Sequence, residues 1–127
     1  MIKISRTHSE IKQDGMTVTV KDNVRVTVNG FNINKNDVDF LKRKYNCNVS
    51  NLESGLCFGY RCEGKAKCCP EDTFDMNTGK SIAGRRCWRK VKSKASRIIA
   101  DIISRSMRKT YEMARFIPDT NFHRNNE

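Results

Sequence analysis

At 127 residues, with a net charge of +11 and a mean hydropathy of −0.70, the chain is polar and strongly basic. That length suits one domain with a modest core and leaves little room for two. No run approaches the ~18–20 apolar residues of a membrane span, and MIKISRTHSE lacks the apolar centre of an export signal, so no membrane partner is expected and the cytoplasm is the simplest compartment.

MIKIS reads as a first short strand, followed by the polar stretch RTHSEIKQDG. In MTVTVKDNVRVTVNGFNIN, β-branched residues alternate with polar ones, which predicts a meander of two or three strands. Asp22-Asn23 and Asn29-Gly30 are its turn signals, with Met16, Val18 and Val20 on one face and Val24, Val26 and Val28 on another. Arg25 and Thr27 then project from the face opposite Val24, Val26 and Val28.

NKNDVDFLKRKYN predicts a short helix capped by Asn36, with Val38, Phe40, Leu41 and Tyr45 available for packing. NCNVSNLESG reads as a linker. GLCFGYRC and KAKCC resemble two strands joined across Glu63-Gly64, and Pro70, which has no N–H to donate, ends the pairing. Asp72 or Asp75 is positioned to cap a second helix.

From about Asn77 to Phe116 the pattern is helical. Trp88, Val91, Ala95, Ile98 and Ile102 recur at spacings of three and four, and Ile99, Ile103, Met107 and Tyr111 form an adjacent stripe. An unbroken helix would reach ~60 Å at ~1.5 Å per residue. Either it breaks near Gly84 or Ser93–Ser96, or it projects and packs against another copy. The expected fold class is therefore α+β: a small antiparallel β meander or hairpins, followed by a long basic C-terminal helix or helix pair. The expected division is a single domain over residues 1–127, with a β-rich body and short helix over 1–70, a basic helical region over 71–117 and a flexible tail over 118–127.

The chemistry on offer is mostly that of binding. GxxxxGK[ST], GxGxxG and HExxH are all missing, and NTGKS at 77–81 keeps only the tail of a phosphate loop. The six cysteines include no CxxC, and His8 and His123 lie in the terminal segments, so packed thiols are expected and neither a metal nor any other cofactor is. No histidine neighbours Cys68 or Cys69 in sequence to activate a thiolate, and no enzymatic activity is expected. Charge is the strongest signal. Between Lys80 and Phe116, twelve Lys or Arg stand against Asp101 and Glu112, and the rest of the chain is nearly neutral. Arg86, Lys90, Lys94 and Arg97 fall on one helical stripe that Arg105 and Arg108 continue. A solvated face is the bland reading of such a run; an excess this lopsided favours an anionic partner. A nucleic acid would be held by distributed phosphate contacts. A nucleotide would need a pocket with an aromatic or arginine plane and a few guanidinium forks.

Around the Lys67–Lys90 junction, Ala66, Cys68 or Cys69, Pro70, Asp72, Phe74-Asp75, Gly79, Ile82-Ala83 and Arg86 resemble small phage and prophage proteins of Gram-positive bacteria. In size and in the order of a β-rich body followed by helices, the chain is similar to the anti-Thoeris sponges of the first type. That resemblance implies a homo-oligomeric, non-catalytic counter-defence protein in the bacterial host cytoplasm. Such a protein sequesters a nucleotide-derived small molecule, a cyclic ADP-ribose isomer or a cyclic oligonucleotide. The adjacent cysteines and the extreme positive charge depart from that pattern and keep a basic nucleic-acid-binding or CRISPR-effector-inhibiting phage protein as the alternative. On the sponge reading Phe74 stacks on a base, and Arg85, Arg86 or Arg97 hold phosphates together with Arg108 from the same or a neighbouring chain. Arg25 and Thr27 serve a second polar site on the sheet.

Overall fold

The computed structural model describes residues 2–69 and 71–114, with side chains described through residue 108. Expectations that rest on Pro70, Phe116, His123 and the 118–127 tail lie outside the described residues, and the packing expected of Tyr111 rests on a side chain beyond residue 108. Four strands form one antiparallel sheet in the order β1-β2-β4-β3, with β1 at Ile2–Asp14, β2 at Thr17–Asn29, β3 at Asn48–Leu52 and β4 at Gly55–Lys67. Two helices, α1 (Lys35–Tyr45) and α2 (Met76–Ala114), complete an α+β fold.

β1 runs on through the polar stretch to Asp14, and the chain reverses at Gly15-Met16, where Gly15 takes φ +60. β2 is one strand, without the turn expected at Asp22-Asn23. The period-two alternation keeps its phase across that dipeptide, so Val18, Val20, Asp22, Val24 and Val26 share a single buried face. The two valine sets assigned to different faces are one set, interrupted by a carboxylate. Asp22 is only 1% exposed and is satisfied there by Arg6 Nε (3.1 Å), Ser9 Oγ (2.6 Å) and Cys87 Sγ (3.6 Å), all of which donate to it. Arg6 and Ser9 are three apart and would face opposite ways in a regular strand. A bulge between Arg6 and His8 brings both to Asp22.

The expected linker contains β3, paired along one side of β4. β4 is likewise continuous where two strands and a turn at Glu63-Gly64 were expected. Gly64 serves the helix that crosses it: a Cβ there would lie 2.2 Å from the Ala83 carbonyl oxygen and 2.4 Å from the Cys87 nitrogen, so α2 rests on bare backbone. The cap of α1 is Asn34 and not Asn36; its Oδ1 accepts from Asp37 N at 2.9 Å, and Asn46 closes the helix in the left-handed region at φ 50. Asp75 starts α2, accepting from Asn77 N (3.0 Å) and Thr78 Oγ1 (2.9 Å), bonds that hold its carboxyl below the usual carboxylate range.

α2 is continuous over 39 residues, ~58 Å at ~1.5 Å per residue, and breaks neither at Gly84 nor at Ser93–Ser96. Its stripe Val91, Ala95, Ile98 and Ile102 is buried with Val24, Val26, Leu41, Val49, Leu56, Phe58 and Tyr60 in the larger core cluster. Ala83 and Cys87 join Val18, Val20 and Ala66 in a smaller one, where small side chains permit the close approach over Gly64. Among the described residues of the second stripe, Ile99 packs against the core while Ile103 and Met107 stay exposed. No helix among the described residues covers the other face of the sheet.

Candidate polyanion interface

With one side of α2 committed to the sheet, its remaining arc presents the basic residues. From Lys80 to Arg97 the sequence holds eight Lys or Arg and no Asp or Glu. None of the eight forms an ion pair among the described residues. Two rows result. Arg85, Arg89 and Lys92, spaced i, i+4, i+7, line a cleft of about 560 Å³ on the β1 side together with Arg6, Lys80 and Trp88. Arg86 and Lys90 form the other row, continued by Arg97 further along the helix, and Arg86, Lys90 and Arg89, which borders both clefts, line a second cleft of about 540 Å³ beside Lys65 and Glu63.

Several of these cations are held in place. Arg86 Nη1 donates to the Lys65 carbonyl at 2.7 Å, and Lys94 lies half-buried with Nζ 5.0 Å from the Tyr60 ring centre. The Arg6 guanidinium sits 5.0 Å over the Trp88 ring while its Nε is fixed on Asp22. Arg85, Arg89, Lys90, Lys92 and Arg97 are exposed.

The sequence-predicted site residues do not share one cavity within the chain. Phe74 is half-buried against the smaller core cluster, in a cleft of about 560 Å³ with Met16, Cys68 and Ile82. Arg85 and Arg86 line different clefts, which meet at Arg89. Arg97 is exposed about sixteen ångströms further along the helix, and Arg108 about as far again, at ~1.5 Å per residue. Arg105, read as a continuation of the stripe, is instead bound into α1: its Nε lies 2.7 Å from Asp37 and its guanidinium 4.0 Å from the Phe40 ring centre. Arg25 and Thr27 lie on the helix-free sheet face, as the alternation implied.

Sequence reasoning missed Arg6 and Lys65 as neighbours of the basic rows. Arg6 reaches Trp88 through a pairing register no local pattern announces, and Lys65 sits on a strand segment expected to follow a turn. All six cysteines are free thiols, with Cys47 and Cys87 buried, and burial pushes the Cys87 thiol up to about 11, far from a nucleophile's range. Among the described residues no group of three or more His, Cys, Asp or Glu side chains is placed to hold a metal ion, and no helix is long and apolar enough to cross a membrane. No family model, curated protein or solved structure matches the chain.

Proposed function

We propose that this protein binds nucleic acid through the phosphate backbone, without turnover, using the outer arc of α2 between Lys80 and Arg97. The observation that carries this reading is the carboxylate-free run of eight cations, unpaired among the described residues and mounted on a helix fixed to a sheet. A rod ~26 Å long, at ~1.5 Å per residue, meets many phosphates of a duplex that carries about one charge per 1.7 Å of axis. No exposed large apolar side chain interrupts the arc, so its contact with a duplex rests on charged and polar side chains. Anisotropy of a labelled random 20-bp duplex, DNA and RNA in parallel, tests it. The expected log–log salt slope is about −4 to −7, the value for roughly five to eight displaced counterions. No binding at low salt refutes it.

One observation favours a second reading, in which the captured anion is a phosphorylated nucleotide, as the resemblance to nucleotide sponges implies. The β1-side cleft combines Trp88 with Arg6, Lys80, Arg85, Arg89 and Lys92 and is lined by no carboxylate. Phe74 lies in a different cleft, so the base-stacking role falls to Trp88 on this reading. A site that joined Phe74 to Arg97 and Arg108 would draw on a second copy of the chain. Mononucleotide competition separates the two readings, since a nucleotide pocket loses the duplex at micromolar mononucleotide and a backbone-binding arc does not.

A further inference from the structure

The helix-free face of the sheet carries a basin of about 610 Å³ that neither reading of the α2 arc employs. Its floor follows from strand register. Arg25 on β2 pairs with Gly59 on β4, which pairs with Asn48 on β3; to one side of Gly59 along β4, Arg61 pairs with Asn23, and to the other side Cys57 pairs with Ser50. Because Gly59 has no side chain, the centre of this row is open backbone between Arg25 and Asn48. The even-numbered neighbours Phe58 and Tyr60 point the other way: they are 1% and 7% exposed, and the Tyr60 hydroxyl donates to the Val91 carbonyl on α2.

Three features define what the basin accepts. No Asp or Glu lines it, and Arg25 is exposed and forms no ion pair among the described residues. Arg61 pairs at 3.2 Å with Glu10, but both side chains are more than half exposed, so an incoming anion competes with a weak, screened contact. Its lining also includes the amides of Asn23 and Asn48 and the hydroxyl of Ser50, which match alcohol groups as donor and acceptor, beside the Cys57 thiol and the apolar Leu52. The rings of Phe58 and Tyr60 are turned into the core, so the floor offers a base no surface to stack on.

We infer that this basin binds a small phosphorylated sugar, its phosphate on Arg25 and Arg61 beside Asn23 and its hydroxyls on Asn48 and Ser50. The volume lies within the ~300–1,000 Å³ of small-molecule sites. The site is independent of the α2 arc, because the thickness of the sheet and its core separates the two.

The probe is ribose 5-phosphate, titrated into the full chain while the Gly59 and Asn48 backbone amides are followed by NMR. Ribose, inorganic phosphate and a single-stranded oligoribonucleotide are run alongside. Saturable shifts at both amides with ribose 5-phosphate are expected, at least tenfold weaker with ribose or phosphate alone. Arg25→Ala, at an exposed position, should weaken binding at least tenfold, while Lys90→Glu with Arg97→Glu leaves it unchanged. Gly59→Val should fill the floor; a Cβ there lies 3.3 Å from the Val24 carbonyl, so its fold is checked by thermal melting, and Arg25→Ala carries the test if it does not fold. The inference is overturned if those amides do not move, if Arg25→Ala binds as tightly as the parent, if phosphate alone binds equally well, or if only the oligonucleotide shifts them.

Discussion

The two halves of α2 are built on opposite terms. From Lys80 to Arg97 the helix seats its small residues Ala83 and Cys87 on Gly64 and carries eight cations that form no ion pair among the described residues. Between Ile98 and Arg105 it buries Ile98 and Ile102, and the charged residues Asp101 and Arg105 are engaged: Lys44 lies 2.7 Å from Asp101, Tyr45 donates to the same carboxylate, and Arg105 meets Asp37. The Arg105 cation that serves the fold has an acidic partner on α1, and those of the first half have none among the described residues. Pairing, more than the number of charges, therefore separates the basic residues that serve the fold from those proposed to hold phosphate.

Substitution at the seat of the first half should have the largest effect on stability. Gly64→Val drives a side chain into the Ala83 carbonyl, and equilibrium denaturation should show a loss of about 3 kcal/mol. A loss under ~1 kcal/mol would mean that α2 does not rest on that backbone. Next comes Asp22, whose buried carboxylate links Arg6, Ser9 and Cys87. Asp22→Ala should cost about 2 kcal/mol by orphaning those donors, and the Arg6–Trp88 contact should loosen, visible as a change in tryptophan fluorescence.

Removing the Asp75 cap should have a smaller effect: Asp75→Ala should fray the start of α2, read as faster hydrogen exchange at Asn77 and Thr78. The smallest effect belongs to the clamp on the second half. Lys44 and then Tyr45 hold the Asp101 carboxyl below its usual range, so its contribution is fully present above about pH 4 and disappears as pH falls through the lowered folded-state value. Because the pair is partly exposed, Asp101→Asn should cost no more than ~1 kcal/mol at neutral pH, and the difference from the parent should shrink on acidification.

The α+β class, the helical stripe, a cap at Asp72 or Asp75 and the basic segment were legible in the sequence because each follows from local periodicity or composition. The apparent strand breaks at Asp22-Asn23 and Glu63-Gly64 mislead for one reason. Both dipeptides look like turns, yet one is a buried charge and the other a crossing point, and each is explained by contacts more than 15 residues away in sequence. Arg105 and Arg86 read alike in the stripe, and only the placement of Asp37 on α1 distinguishes them. The sheet basin was half visible: alternation put Arg25 and Thr27 on the outer face, but its floor at Gly59 required knowing that β3 and β4 pair.

The central claim, that the first half of α2 holds phosphate, is tested most directly by reversing charge where no structural contact is lost. Arg89, Lys90 and Arg97 are exposed, and their side chains make no ion pair among the described residues. The triple variant Arg89→Glu, Lys90→Glu, Arg97→Glu should melt like the parent yet bind a 20-bp duplex at least ~100-fold more weakly, with a salt slope shallower by about 3. Unchanged affinity and slope in a folded variant would contradict the account.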